Sequence, residues 1–179
     1  IHSSEPKKRK DDNGKTISNK ANDEDASYTS KRGRKHHGYK IHIATDTNSI
    51  IKEVITTTAK THDSTQFNEL IKDETKAVFA DSGYMSQERK RTLRSKGIFN
   101  GITERRVRGQ SKLRTKQSKN NTKFSKVRAL VELPFAFIKK LMKYTETKYL
   151  GLHKNSQHVF LIAAAYNLRR MPKLTQRYE

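Results

Sequence analysis

Cysteine is absent from the 179 residues. Disulfide frameworks, zinc fingers and thiol catalysis are therefore excluded. Apolar residues are few, 32% of the chain, against the roughly 45–50% usual in globular domains. No long hydrophobic run occurs: the longest, Val159–Tyr166, falls far short of the ~20 residues that cross a bilayer. Acid is also scarce. Lys and Arg number 39, Asp and Glu 18, for a formal net charge of +21. An ordinary near-neutral enzyme is not built this way. So many like charges repel in a compact state, and the excess points to a polyanionic partner. The basic opening does not read as a signal peptide. The first residue is Ile1 rather than Met, so the sequence is expected to be a fragment.

What is present falls into an ordered series. Ile1–Tyr28 is polar, without apolar period, and is expected to form a flexible basic arm. Tyr39–Asp46 alternates polar and apolar residues and reads as a strand. Asn48-Ser49 marks a turn, and β-branched Ile50–Thr58 reads as the returning strand of a hairpin. Asp63 is placed to cap a helix over Ser64–Lys72. Lys76–Ala80 reads as a short buried strand ending at Asp81. Ser86 caps a helix over Gln87–Ser95 that Gly97 ends, and Gly97–Ile102 suits one more short strand. Between Arg89 and Lys126 stand fourteen Lys or Arg and one acid, Glu104. Residues 105–126 are expected to form a mobile basic loop. Helical spacing returns over Phe124–Tyr144, interrupted at Pro134, and an apolar helix over Asn155–Arg170 closes the chain. This is an α/β pattern on a mixed sheet.

Two places suit chemistry. In Ala77-Val78-Phe79-Ala80-Asp81-Ser82-Gly83-Tyr84, a strand delivers a carboxylate at its C-terminal end, the edge where ligands sit in open α/β sheets. Gly83 would let the backbone approach whatever Asp81 holds. The competing reading is that Asp81 caps the following turn. The second place is Arg128-x3-Glu132-x6-Lys139, whose spacing returns to one face of a helix. A carboxylate between two cations suits a site where metal and phosphate meet. The competing reading is a surface i,i+4 ion pair worth a few tenths of a kcal/mol. Carboxylates from different elements can hold two hard divalent cations that clamp the attacking and leaving oxygens of a phosphodiester. Such a site normally wants a third acid. Asp46, Asp63, Asp23 and Asp25 are the remaining candidates, although Asp63 more readily caps a helix. His36-His37 lies in the basic run Lys31–Lys40 and suits a phosphate-facing turn more than a metal site. Phe135, Phe137, Tyr144 and Tyr149 suit a core more than base stacking.

Taken together, the blocks DASYTSKRGRKHHGYKIHIATD, TTTAKTHDSTQFNELI, VFADSGYMSQERK, SKVRALVELPFAFIKK and YLGLHKNSQHVFLIAAAYNLRRM resemble, in this order, the C-terminal catalytic half of insertion-sequence DDE transposases of the insertion-sequence-five group. The resemblance runs from about Asp23 to Met171. It implies an RNase H-like α/β fold, incomplete at the N-terminus, in which three acids bind two Mg²⁺ (or Mn²⁺) ions. Asp81 matches the family's second Asp, in A-D-x-G-Y. Arg128, Glu132 and Lys139 match the signature Y-x2-R-x3-E-x6-K, with Ser125 at the Tyr position and Leu133 where His is common. No residue matches the first Asp, and Asp46 and Asp63 fall in other family blocks. The implied organisation is an arm over 1–28, a partial catalytic domain over 29–171 and a tail over 172–179.

The implied partner is double-stranded DNA, as transposon terminal repeats and target, contacted by Arg128, Lys139, Lys35, Arg105, Arg106, Arg108 and Lys126. A homodimer and a prokaryotic, cytoplasmic, nucleoid-associated setting follow from the same resemblance; a membrane does not. Cleavage and strand transfer at insertion-sequence ends is the implied activity. This chain alone is expected to be poorly stable and inactive while still binding DNA. The alternatives are a non-enzymatic basic nucleic-acid-binding protein and an inhibitory truncated transposase.

Overall fold

A computed structural model of the chain describes residues 1–6, 8–10, 16–18, 23–31, 33–106 and 108–175. A small hairpin pairs β1 (Lys8–Lys10) with β2 (Thr16–Ser18). The main sheet has three antiparallel strands in sequence order: β3 (Ser27–Lys31), β4 (Arg34–Thr45) and β5 (Ile51–Thr58). The expected hairpin is therefore present, running from Tyr39 opposite Thr58 to Thr45 opposite Ile51, with a register shift at Ala44/Thr45. Its turn is locked by Asp46, whose Oδ1 accepts the N–H groups of Asn48 and Ile50, each at 2.9 Å.

Two cores form. In the first, Ile41, Ile43 and Val54 of the sheet pack on Ile138, Tyr144, Val159 and Ile162. Ile51, Ala163 and Tyr166 continue this core along α4 (Leu152–Arg170). The second gathers Phe67, Leu93, Ile98 and Ile102, with Val78, Ala80 and Tyr84 packed against them. It is framed by α1 (Gln87–Ser95) and by a two-stranded parallel sheet of β6 (Ala77–Val78) and β7 (Phe99–Asn100). Burying each large apolar side chain contributes about 1.5–3 kcal/mol, so both cores matter to so polar a chain. The Ser86 cap is as expected: its Oγ accepts the Arg89 N–H at 3.1 Å. Gly97 ends α1 with φ +68°. Gly101 has no room for a side chain, since a Cβ there would lie 2.4 Å from Phe79 Cδ1. The rings of Phe79, Phe99 and Phe124 meet with centroids 5.8–5.9 Å apart.

Several expectations need correction. Residues 1–28 do not read through as a free arm. His2 bridges Gly38 and Glu146, Ser3 and Asp23 are buried, and β3 begins within the segment. Asp23 accepts hydrogen bonds from Ser3 Oγ (3.0 Å), Tyr39 Oη (2.6 Å) and Gly151 N (3.1 Å). Residues 7, 11–15 and 19–22 of that arm lie outside the described residues, as do 32, 107 and 176–179; Pro172–Thr175 of the tail forms the short helix α5.

Ser64–Lys72 holds only a 3₁₀ turn at Asp63–Gln66, capped by His62 rather than Asp63. Asp63 instead pairs with Lys40 at 3.0 Å. The strand at Lys76–Ala80 shrinks to two residues and is not fully buried. The segment expected as a loop is helix α2 over Thr115–Arg128. Lys, Arg and Gln are good helix formers, and this helix buries no residue, so it carries no apolar stripe that could reveal it. Gln117 and Asn121 tie it to Glu104 instead.

The helical spacing over Phe124–Tyr144 is confirmed with altered pitch. After α2 come a 3₁₀ turn at Ala129–Val131, then α3 (Glu132–Ala136) and a π turn at Phe137–Leu141. Pro134 is buried inside α3 without breaking the run. The whole is a mixed α/β arrangement consistent with part of an RNase H-like fold.

Candidate active site

Asp81 follows β6 on the irregular chain that leaves the small parallel sheet. It caps the 3₁₀ turn Ser82–Tyr84: its Oδ1 accepts from Ser82 N at 2.6 Å and from Ser82 Oγ at 3.2 Å. Capping and solvent access coexist, because the residue is exposed. Arg105 reaches back over this turn, its Nε donating to Ser82 Oγ at 2.9 Å. Gly83 is not required by the backbone. A Cβ there would meet only Arg105 Nη2, at 3.6 Å, an ordinary contact.

Burial pushes the Tyr84 hydroxyl pKa up; the charges of Asp63 and Asp81 add to the rise and Arg89 opposes it. Asp63 and Asp81 thus act on one side chain. Arg89, in the same basic stretch, serves the scaffold. It bonds the carbonyls of Tyr84 and Ser64 and lies 4.3 Å over the Phe67 ring.

Glu132 opens α3 and is exposed. The stripe expected for Arg128, Glu132 and Lys139 is distorted. A 3₁₀ turn has 3.0 residues per turn, so each of its residues advances the face about 20° beyond an α-helix. The turn at Ala129–Val131 lies between Arg128 and Glu132, and the π turn holds Lys139. Among the described residues no ion pair joins Arg128 to Glu132, and Arg128 Nε is buried without a hydrogen-bond partner. The surface ion-pair reading of this spacing therefore fails. Lys139 is exposed, its Nζ 5.9 Å from the Phe135 ring centre.

The other cations are dispersed. Lys35 is exposed on β4 opposite Ser30. Arg106 is exposed and donates to Ser111 O at 3.0 Å. Arg108 is exposed in the turn before α2, and Lys126 is exposed on α2 itself. His36 and His37 lie within β4 rather than in a turn, and His37 is buried against the Tyr28 ring. Tyr144 and Phe137 join the core as expected, while Tyr149 is exposed.

The four spare acids have other work. Asp46 holds the β4–β5 turn and Asp63 pairs with Lys40. Asp23 is buried among three donors, and Asp25 Oδ2 accepts the Leu152 N–H at 2.8 Å, at the start of α4. Among the described residues no group of three or more His, Asp or Glu stands ready to hold a metal ion. In donor chemistry Asp81 and Glu132 do fit a hard divalent cation: both are exposed carboxylates, and Mg²⁺ is commonly held by one or two carboxylates with waters completing its shell.

Sequence reading did not find the roles of Ser49, Asp23 and Asp25. Ser49 was legible only as part of a turn. The two aspartates carried no local signal, since their partners lie 127 and 128 positions away at the start of α4.

Exposed carboxylates at element ends, set among exposed guanidinium and ammonium groups on a mixed α/β scaffold, define a protein equipped for a phosphate-rich partner. The sequence model described as transposase DDE domain matches residues 9–168, and the chain belongs to that family. Membership implies a transposase, an enzyme class that transfers phosphoryl groups on nucleic acid with DNA as partner and divalent metal ions as general cofactors. No solved structure matches the chain. Among the described residues no helix is long and apolar enough to cross a membrane.

Proposed function

We propose that this chain is the catalytic part of an insertion-sequence transposase of the insertion-sequence-five group, with one catalytic domain over 29–171. In this reading Asp81 and Glu132 hold the metals that act in DNA cleavage and strand transfer. The observation that carries it is the family match, whose span over residues 9–168 includes both carboxylates, each of which is exposed. Two divalent ions, when bound, stabilise the attacking and leaving oxygens of a phosphodiester. Arg128 and Lys139 meet DNA phosphates beside Glu132, and Arg105 does so beside Asp81. Arg106, Arg108, Lys126 and Lys35 extend the contact along the duplex. No side chain acts as a covalent nucleophile. Asp23, Asp25, Asp46 and Asp63 are committed to the scaffold, so none of them is taken as the third acid, and the chain alone is expected to bind DNA without cutting it efficiently.

The test combines Mn²⁺ binding, read by the resonance of free Mn²⁺, with duplex retardation and plasmid nicking in Mn²⁺ against EDTA. The parent should bind Mn²⁺ and retard DNA with little nicking. Asp81→Ala and Glu132→Ala should each weaken Mn²⁺ binding, with retardation kept or slightly strengthened by the loss of a negative charge. Unchanged Mn²⁺ binding in both variants would leave a basic DNA-binding protein and overturn the metal-site reading. Robust nicking by the parent, lost in both variants, would show that the chain itself supplies every acid the reaction needs and would overturn the expected inactivity.

A further inference from the structure

Pro134 sits inside the helical run two residues after Glu132, and it has no N–H to donate. In a continuous α-helix that N–H would go to the carbonyl four residues back, which is that of Leu130. Within the run this carbonyl takes the Glu132 N–H, and it is served as well from another element. Ser49, in the β4–β5 turn, donates its hydroxyl to Leu130 O at 2.8 Å. The same Oγ lies 2.9 Å from Tyr166 Oη. Since the serine proton is used on Leu130, the tyrosine must donate to the serine. A directed relay therefore runs from Tyr166 on α4, through Ser49, to the backbone that carries Glu132.

The turn is built to hold this hydroxyl. Ser49 is completely buried and has φ +62°, a left-handed conformation that costs a non-glycine residue free energy. Glycine would relieve that cost but would bring no hydroxyl. Around it, α4 grips the turn. Asn167 Oδ1 accepts from Ile51 N at 2.8 Å and its Nδ2 donates to Ile51 O at 2.9 Å. Arg170 Nε donates to Asn48 O at 3.1 Å.

We infer that Ser49 is a positioning residue, whose hydroxyl replaces the N–H that Pro134 lacks and so fixes the segment presenting Glu132. The consequence for the metal site rests on the functional reading above; the consequence for the backbone does not.

The test is a double-substitution cycle in the full chain. Ser49→Gly removes the hydroxyl while relaxing the backbone, so loss of fold is not the expected outcome. Pro134→Ala restores the N–H. Ser49→Gly should speed amide exchange over residues 130–136 about tenfold, the scale of one net hydrogen bond. It should also weaken Mn²⁺ binding severalfold. The double variant should recover both, because the carbonyl of Leu130 then receives the backbone N–H regained at position 134. Exchange in Ser49→Gly equal to the parent's, or a double variant no better than Ser49→Gly, would overturn the inference. Glu132→Gln separates the two readings. If it binds Mn²⁺ like the parent, the metal role of Glu132 fails, while the exchange result still decides the role of Ser49.

Discussion

Asp23 shows how one residue ties distant segments together. Its carboxylate takes two hydroxyl donors and the Gly151 N–H while only 1% exposed, and its neighbour Asp25 takes the next N–H at the positive end of α4. Asp23→Ala would strand those donors in the interior. Each stranded buried donor costs about 1–3 kcal/mol, so a loss of about 2–5 kcal/mol in unfolding free energy is expected by denaturant titration. A change below about 0.5 kcal/mol would show that the network carries no stability. Sequence reading counted Asp23 among candidate acids for metal binding. Its type was legible but its neighbours were not, because a carboxylate's role is decided by donors far off in the chain. The turn-capping role of Asp81 was legible for the opposite reason: both of its donors belong to the next residue, Ser82.

Helix α2 carries the clearest elemental asymmetry. Lys116, Lys119, Lys123 and Lys126 recur at helical spacing and are all exposed, whereas Gln117, Asn121 and Phe124 turn toward Glu104 and the Phe79–Phe99 rings. The outer stripe matches the regular negative charge of a duplex backbone. Each phosphate neutralised contributes about 0.9 to the slope of log affinity against log salt. Replacing all four lysines by Gln should therefore lower that slope by about 3–4, measured by anisotropy across moderate salt, without loss of helicity. An unchanged slope would place the DNA elsewhere. The composition made this segment look like a loop, since helix prediction leans on an apolar stripe and α2 has none. The cap-and-stop signals of α1, Ser86 and Gly97, were legible because they are chemical rather than tertiary. The 3₁₀ and π turns around Glu132 were not, since they answer to packing and to the hydroxyl arriving from Ser49.

Across the molecule, stability should depend on acidity through one buried and one half-buried imidazole. Burial holds the pKa of His42 below the ordinary histidine value, its ring bonded to Thr57 Oγ1 at 2.9 Å; Asp63 opposes the shift and Lys40 adds to it. His158, between the rings of Tyr144 and Tyr149, is lowered by burial and then by Lys148. The unfolded chain therefore takes up protons at higher pH than the folded one. The stability concerned is fully present above about pH 6.5 and is lost as pH falls through the depressed folded values. The thermal midpoint should fall from pH 7.5 to pH 5.5, and His42→Gln should flatten that fall; an equal fall in the variant would place the dependence elsewhere. The overall α/β order was legible from alternation and capping. The division into two cores was not, because the sheet core joins residues 41–54 to residues 137–166 around the second core, which lies within residues 67–102. Those cores are spanned by a chain in which Phe79, two residues before Asp81, shares a three-ring joint with Phe124 of the lysine helix. A polyanion bound on α2, as proposed above, would thereby press on a ring two residues from Asp81, which lies three residues past the end of β6. Thermodynamic reciprocity then sets the terms: whatever factor cation occupancy at Asp81 contributes to DNA affinity, DNA must return to cation affinity in equal measure.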